Sequence, residues 1–285
     1  MTNAVSTRPR LLLLSGRPLR LIVAAILLIN GLFPALWILF TSLKSEPELT
    51  RIPITWLPQS PVLANYVTAF TDQPLHLFLF NSFMVAMLST LLTLFVSVLA
   101  AYAIARLNLR HRGLILSAII AVSTFPLVTL LVPLFEIMRA LSLLNTWTAL
   151  VLPYTVLSLP VCTLILVSFF EGIPRDLENA AMIDGCTRMG ALFRVVVPLA
   201  APGVFTAGIL AFVNAWDEFL LALSFNSSPA LRTLPVGIQL YQGEFAFPWP
   251  VISAALVVGI VPVAILIVLF QERVVSGLTT GGIKG

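Results

Sequence analysis

Three polar side chains stand close together in an otherwise apolar stretch, in the segment NAWDEF. They are Asn214, Asp217 and Glu218. A charged side chain at the centre of a membrane helix costs about 2.5–3.5 kcal/mol on insertion scales, so such residues mark a pathway or a partner by default. Asn214 lies three residues before Asp217 and four before Glu218, which places the three together on a helix. We predict that they line a gate or cavity.

The same residues also fit a different role, that of a buried structural pair. Polar side chains hold helices together inside membranes, and Asn81 on another apolar stretch is a suitable partner for them. Both interpretations of Asn81 and of the NAWDEF segment stay open from the sequence.

No other set of residues has the spacing of a catalytic or metal-binding site. The two histidines, His76 and His111, have no His or Cys neighbour at ligand spacing. Cys162 and Cys186 are predicted on different sides of the membrane boundary, so we expect no disulfide. There is no glycine loop of the G-x-x-x-x-G-K-[ST] type to hold phosphates. We therefore expect no enzyme activity, no metal and no cofactor bound by this chain itself.

The composition points to a membrane protein. Of 285 residues, 59% are hydrophobic and only 10% are charged, and the mean hydropathy is +1.03. A soluble domain carries about 25% charged residues. A helix crosses the bilayer with about 20 apolar residues. We predict an all-α membrane protein with six transmembrane helices, at residues 21–43, 77–105, 114–137, 149–170, 202–224 and 250–270.

The distribution of Lys and Arg predicts the orientation of these spans. With the N-terminus inside, twelve basic residues fall in cytoplasmic segments and four fall outside. We predict a multi-pass protein of the cell (inner) membrane with both termini cytoplasmic. The net charge of +4 therefore indicates topology and not affinity for nucleic acid. The predicted parts are an N-terminal segment, 1–20, a transmembrane domain, 21–270, and a cytoplasmic tail, 271–285.

A charged segment, residues 171–203, separates the fourth and fifth predicted spans. Pro174 suits the first turn of a helix, and Asp176 and Glu178 place negative charge at the positive end of its dipole. Gly185 suits a left-handed residue at the end. These signals predict a helix over 175–184, then a glycine turn and a second helical stretch.

The small apolar face of this helix favours docking on a protein. Leu177, Ala180, Ala181 and Asp184 share one face, and adjacent alanines let another backbone come close. An amphipathic helix on the membrane surface is the alternative. Such a helix would carry larger apolar residues and a basic face, so we favour a protein partner.

The order Ala-Ala, two residues, Asp-Gly, and a proline thirteen residues after Gly185 resembles the cytoplasmic EAA loop of ABC importer permeases. The segment NAAMIDGCTRMGALFRVVVPLAAPG is similar to the carbohydrate-importer branch, typified by the second permease of the maltose system. The segments NSFMVAMLSTLLTLFVSVLAAYAIARL, FVNAWDEFLLAL and FQERVVSGLTTGGIKG agree, so the resemblance covers nearly the whole chain. One departure is Asn179, which stands where the family has the glutamate that names the loop.

The resemblance implies a coupling helix that sits on a cytoplasmic ATPase subunit. The residues it assigns to this contact are Arg175, Asp176, Glu178, Asn179, Ala180, Ala181, Asp184, Gly185 and Arg188. It also implies that the C-terminal tail reaches the ATPase dimer through Thr279, Gly281, Gly282 and Lys284. A frayed, glycine-rich terminus is the alternative for the tail.

The resemblance further implies an assembly that imports a sugar. Its parts would be this chain, a second permease subunit in a heterodimer, two ATP-binding subunits that hold ATP and magnesium, and an extracellular or periplasmic substrate-binding protein docking partly on residues 225–249. The substrate would be a di- or oligosaccharide or a related glycoside, such as maltose, trehalose or a glucosylglycerol-like compound. The alternative is an ion-coupled secondary transporter, which would work without an ATPase and usually shows repeat symmetry.

Overall fold

The architecture is seen in a computed structural model of the chain, which describes residues 16–243 and 247–282, with side chains for 19–243 and 247–270. Every regular element within these ranges is helical. The predicted all-α class is therefore confirmed.

The helices differ widely in length. In chain order they are α1 Gly16–Ser42, α2 Glu46–Leu49, α3 Ala64–Asp72, α4 Leu75–Arg106, α5 Arg112–Ser123, α6 Leu127–Ala140, α7 Thr148–Gly172, α8 Arg175–Ile183, α9 Arg188–Ala191, α10 Val197–Leu199, α11 Ala201–Asp217, α12 Leu220–Phe225, α13 Leu234–Gln239 and α14 Trp249–Gly282. A π-helical turn, Leu192–Val196, joins α9 to α10, and a 3₁₀ turn, Pro229–Leu231, precedes α13.

Four helices, α1, α4, α7 and α14, are long and apolar enough to cross a membrane. Two bent pairs, α5 with α6 and the α9–α10 stretch with α11, would bring the number to six if each pair is one span. The structure thus supports a multi-pass membrane protein with four to six spans, and the count of six stays a prediction.

The predicted third span is not one straight helix. Its halves, α5 and α6, meet at an angle of 93°. The break lies at Pro126, whose backbone is extended. Proline has no N–H to donate and keeps the residue before it out of the helical region, so a helix commonly stops there. The bend turns the start of α6, near Leu127, toward the inside of the helical bundle.

The predicted fifth span is interrupted near its end. Helix α11 has 17 residues, which span only about 25 Å at 1.5 Å per residue. The helix stops at Asp217 because Glu218 adopts an extended backbone conformation, and α12 then continues to Phe225.

The helical core is built around α7, which packs most extensively against α4 and also against α11. More than half of the most apolar window of α7 is buried. Helix α1 lies at the periphery, where none of its apolar window is buried and its main neighbour is α14. Such a fully exposed apolar helix requires lipid or another subunit around it.

The loops predicted to lie outside the membrane meet at one end of the bundle, which we call the outer end: residues 43–74, 141–147 and 226–243. Amide side chains connect them there. The Nδ2 group of Asn65 donates to the carbonyls of Ser42 and Lys44, both at 2.9 Å. The Nδ2 group of Asn226 donates to Thr146 O at 3.3 Å.

The outer end is completed by Tyr241. Its hydroxyl donates to Ala69 O in α3. Burial, with a smaller contribution from Asp72, raises the pKa of Tyr241 to about 12. The phenol therefore remains a neutral hydrogen-bond donor at any ordinary pH.

Candidate functional site

The charged segment between α7 and α11 folds as its local sequence predicts. Helix α8 begins at Arg175, directly after Pro174, and ends at Ile183. Gly185 has φ +93°, a conformation that costs side-chain-bearing residues energy. The Thr187 hydroxyl then caps the next helix by accepting from Gly190 N at 3.1 Å. The stretch from Arg188 to Leu199 meets α11 at 81°. This stretch is therefore nearly perpendicular to α11.

Glu178 lies on the inward side of α8, where it is buried. Its Oε1 accepts a hydrogen bond from the hydroxyl of Tyr102. Its Oε2 lies 3.1 Å from Nε of Arg106, and both side chains are less than 10% exposed. Tyr102 and Arg106 belong to the last turns of α4. Glu178 therefore fastens the middle of α8 to the end of a long helix of the bundle.

Two arginine-to-carbonyl hydrogen bonds reinforce this connection. Arg106 Nη2 donates to Ile173 O at 2.9 Å, and Arg175 Nη2 donates to Ala105 O at 3.2 Å. Arg112 also pairs with Glu171 at the end of α7. We call this end of the bundle, with residues 102–112 and 171–200, the inner end. The start and the middle of α8 are therefore held to α4 by Arg175 and Glu178.

The opposite side of α8 is exposed and partly apolar. Ile183 is 86% exposed, and Leu177 is 46% exposed. Asp176, Asn179, Ala180 and Asp184 are exposed on the same helix. Met189 follows after the turn and is also exposed. We call this surface the α8 patch. Its mixture of apolar, acidic and amide groups is suited to contact with a soluble partner protein.

The residues predicted for ATPase contact thus fall into two groups. Glu178 faces the bundle and cannot present its carboxylate to a partner while it is paired. The others lie at the surface or are half-buried: Arg175, Asp176, Asn179, Ala180, Ala181, Asp184, Gly185 and Arg188. Their contact with an ATPase stays a prediction.

A cavity of about 250 Å³ lies between α6, α7 and α11, in the part of the chain predicted to span the membrane. Its walls are Leu127, Tyr154, Leu157, Ser158, Asn214, Ala215 and Glu218. The Glu218 carboxylate accepts from Tyr154 OH at 2.5 Å, from Leu221 N at 2.8 Å and from Ala222 N at 3.1 Å. Glu218 lies between α11 and α12, so its carboxylate can accept from the N–H groups at the start of α12. These hydrogen bonds hold the carboxylate at the cavity wall.

The other polar residues predicted for the pathway lie elsewhere. Asp217 borders a separate cavity between α11, α13 and α14. Asn81 is buried, and its amide is engaged: Nδ2 donates to Ala230 O at 2.9 Å and to Arg232 O at 3.0 Å, and Oδ1 accepts from Trp147 Nε1 at 3.1 Å. Asn81 therefore anchors the loop after α12 and makes no contact with Asn214 or Glu218 among the described hydrogen bonds.

The tail residues predicted for ATPase contact are outside the described side chains. Helix α14 continues past residue 270 to Gly282, so Thr279, Gly281 and Gly282 belong to it by backbone. Lys284 lies outside the described residues.

The family model for the inner membrane component of binding-protein-dependent transport systems matches residues 93–279. That range contains α5 to α13, the α8 segment and the cavity. The chain belongs to this family.

Sequence relatives of this permease extend over nearly its whole length. It is 83% identical over 284 residues to the sulfoquinovosyl glycerol transport system permease protein SmoH of Agrobacterium fabrum, covering 99% of this chain and 100% of that one. It is 40% identical over 269 residues to the trehalose/maltose transport system permease protein MalG of Thermococcus litoralis, covering 93% and 96%. It is also 40% identical over 257 residues to a trehalose permease, SugB, of Mycobacterium tuberculosis, covering 90% and 93%.

A solved structure has the same fold. A chain of a bacterial ABC transporter that imports the acidic polysaccharide alginate aligns with a TM-score of 0.78 and 21% identity, covering 94% of this permease and 99% of that chain. The membrane permease fold is therefore established by both sequence and structure.

Three residues important to the two sites were not predicted from the sequence. Tyr102 and Arg106, which hold Glu178, lie more than 70 residues before it, and Tyr154 lies 64 residues before Glu218. A polar residue at the end of an apolar stretch can indicate a contact with a distant charged residue. Of the three residues, only Arg106 stands at such an end. Tyr154 is surrounded by apolar residues and resembles an interfacial anchor.

Proposed function

We propose that this permease imports a glycoside of the sulfoquinovosyl glycerol type. The observation that carries the proposal is the 83% identity with the Agrobacterium fabrum permease across the full chain. The relatives named for trehalose and maltose are half as similar, at 40%. Carbohydrates in general are therefore the expected substrate class, and sulfoquinovosyl glycerol is the expected member of it.

The permease works without chemistry of its own and takes its energy from a partner ATPase that binds ATP and magnesium. The α8 patch would contact that ATPase, because its exposed Ile183 and Leu177 lie on a rigid helix outside the bundle. The buried contacts of Glu178 would then carry the movement of α8 into α4. The coupling segment is thus a lever with its outer side on the ATPase and its inner side on the bundle.

The complete assembly would contain a second permease, two ATPase subunits and a substrate-binding protein. A related fold, with a TM-score of 0.63 and 13% identity, occurs in an alginate ABC transporter in complex with an alginate pentasaccharide-bound periplasmic protein. Residues 225–249 at the outer end are the proposed docking region for the binding protein. Six spans, cytoplasmic termini, the domain limits at residues 20 and 270, and the contact of the tail with the ATPases belong to the same proposal.

Reconstitution of the assembly in vesicles tests this function. We expect ATP-dependent uptake of sulfoquinovosyl glycerol in the presence of its binding protein, and uptake at least tenfold slower for trehalose and maltose. Uptake that needs an ion gradient and no ATPase would instead establish a secondary transporter. Efficient uptake of trehalose alone would keep the importer and overturn the proposed substrate.

A matched pair of variants tests the α8 patch in the same vesicles. Ile183→Asp places a charge in the exposed patch and should abolish co-purification of the ATPase. Ile54→Asp changes the same type of residue at the outer end, where it is also exposed, and the ATPase should remain bound. Equal retention of the ATPase by both variants would refute docking on α8.

A further inference from the structure

The cavity between α6, α7 and α11 has the donors and acceptors of a hydroxyl-binding site. Glu218 carries the only formal charge among the seven residues that line it. An ionised carboxylate has about four lone-pair positions. Tyr154 OH and Ala222 N occupy Oε2, and Leu221 N occupies one position on Oε1. One acceptor position on Oε1 therefore remains for a ligand.

The neighbouring polar groups complement this acceptor. Asn214, one helical turn before Glu218, is exposed, and its amide makes no hydrogen bond to any described residue. The Ser158 hydroxyl, on the facing wall, is likewise without a partner in the described part of the chain. An amide supplies two donors and an acceptor, and a hydroxyl supplies one donor and two acceptors.

A pair of neighbouring hydroxyl groups fits this arrangement best. One hydroxyl donates to Oε1 of Glu218, and its neighbour accepts from the amide of Asn214. A sulfonate, phosphate or carboxylate has no proton for Glu218 at neutral pH and would face its negative charge. The site therefore selects an uncharged, hydroxyl-bearing group.

The size of the cavity limits how much of a ligand it can hold. Ligand sites in proteins usually measure about 300–1,000 Å³, and this cavity has about 250 Å³. It accommodates one small part of a glycoside. Its apolar walls, Leu127 and Leu157, suit the carbon backbone of such a group.

We propose that this cavity is a substrate contact in the translocation pathway, and that it binds the glycerol diol of the transported glycoside. Glu218 and Asn214 hold the diol, and Tyr154 fixes the carboxylate in position. The sulfonate lies outside the cavity, against another part of the assembly. This inference rests on the proposed function, because it takes the glycoside as the cargo.

Substrate protection of an introduced cysteine tests the proposal directly. The variant Leu157→Cys, at an apolar wall position of the cavity, is made in a Cys186→Ala background, since the other cysteine, Cys162, is 1% exposed. The assembled transporter, held with ATP, vanadate and its binding protein, is labelled with a neutral maleimide. We expect sulfoquinovosyl glycerol to slow labelling at least fivefold. Glu136→Cys, on the exposed end of α6, is the control and should be labelled at the same rate with or without the glycoside.

A second glycoside identifies which end enters the cavity. Methyl sulfoquinovoside keeps the sulfonate and the ring hydroxyls but lacks the glycerol diol, so it should give less than twofold protection at Leu157→Cys. Equal protection by both glycosides would refute recognition of the diol. Absence of protection by either, in vesicles that still take up sulfoquinovosyl glycerol, would refute the site while leaving the proposed function intact.

Transport by Glu218→Gln gives an independent readout. The substitution keeps the shape of the side chain but removes its charge-assisted hydrogen bonds, so we expect uptake per ATP hydrolysed to fall about tenfold. ATP hydrolysis stimulated by the loaded binding protein should change less than twofold, which shows that the assembly is intact. Because Glu218 also bonds α12, Asn214→Leu serves as a second variant and should reduce the ratio in the same direction. An unchanged ratio in both variants would overturn the proposal.

Discussion

The Nε atom of Arg106 lies 3.1 Å from Oε2 of Glu178, so that a buried ion pair joins the end of α4 to the middle of α8. The carboxylate is also the acceptor for Tyr102. Glu178, one residue before the position at which the family has its glutamate, is thus used inside the protein, and Asn179 is the exposed residue of the two. The contact with α4 and the surface offered to a partner belong to adjacent residues of one short helix.

Removal of Glu178 should loosen this joint. Glu178→Ala leaves Arg106 buried without its partner, and breaking such pairs costs about 3–5 kcal/mol. We expect a lower melting temperature in detergent and transport reduced at least tenfold, with the ATPase still bound. Glu46→Ala removes an exposed acid at the outer end, far from α8, and should change neither. A double-mutant cycle with Arg106→Ala should show strong coupling, and additive effects would contradict a direct pair.

Gly185 should tolerate substitution poorly. Its φ of +93° disfavours residues with a side chain, at a cost of about 1–3 kcal/mol. Gly185→Val should therefore weaken ATPase co-purification and lower the melting temperature. Gly172→Val is a matched control, since its added Cβ also meets no neighbouring atom and its φ is not in the positive range. Equal effects of both changes would show that backbone conformation is not the cause.

Asn81 should stabilise the outer end and not the passage of substrate. Asn81→Leu keeps the volume but leaves the carbonyls of Ala230 and Arg232 and the Trp147 indole without their partner, at about 1–3 kcal/mol for an unsatisfied buried group. We expect faster proteolysis within residues 226–243. Gln239→Leu, at an exposed position of α13, should leave proteolysis unchanged. If Asn81→Leu instead alters substrate selectivity while proteolysis stays constant, the residue acts in the pathway.

The Tyr241 hydroxyl should stabilise the outer end in a pH-dependent way. Its pKa is raised from 10.0 to about 12 by burial and Asp72, so the neutral form is favoured in the folded state. Tyr241→Phe should cost about 1 kcal/mol at neutral pH. Because the folded pKa exceeds the unfolded one, this advantage of the native residue is complete below pH 10 and is lost between about pH 10 and 12. Chemical unfolding of the native protein and of Tyr241→Phe from pH 7 to 10.5 measures the difference in their free energies of unfolding. A difference that grows with pH would contradict the role given to the Tyr241 hydroxyl.

Local signals in the sequence predicted much of this architecture. Length and apolarity identified α4 and α7 to within two residues at each end, as in α7, predicted over 149–170 and observed as Thr148–Gly172. The end of α14 was not predicted, because the helix continues past residue 270 to Gly282. Pro174 and Gly185 delimited α8, because helix ends depend on nearby residues. The membrane class followed from composition alone.

Contacts between distant residues were beyond the reach of the sequence. The partners of Glu178 and of Glu218 are set by how the helices pack, and nothing within ten residues of either acid indicates them. From the sequence, Asn81 was expected either to pair with the NAWDEF acids or to line the pathway with them. The side chain is buried, but its amide bonds the loop after α12. The 93° break in the third span also exceeded what one proline indicates, because many prolines remain within continuous helices, as Pro153 does in α7.

The two ends of the bundle are fastened by different kinds of groups. At the outer end, Asn65, Asn81, Asn145 and Asn226 join the loops through neutral amides. At the inner end, Arg106 and Arg112 pair with carboxylates. Dissolved ions weaken the attraction within the partly exposed Arg112–Glu171 pair, but they have little effect on the buried Arg106–Glu178 pair or on amides. The face predicted to meet the surroundings of the cell should thus keep its shape through changes in salinity, while the face predicted to meet the cytoplasm has one pair, Arg112–Glu171, that is suited to a regulated ionic medium.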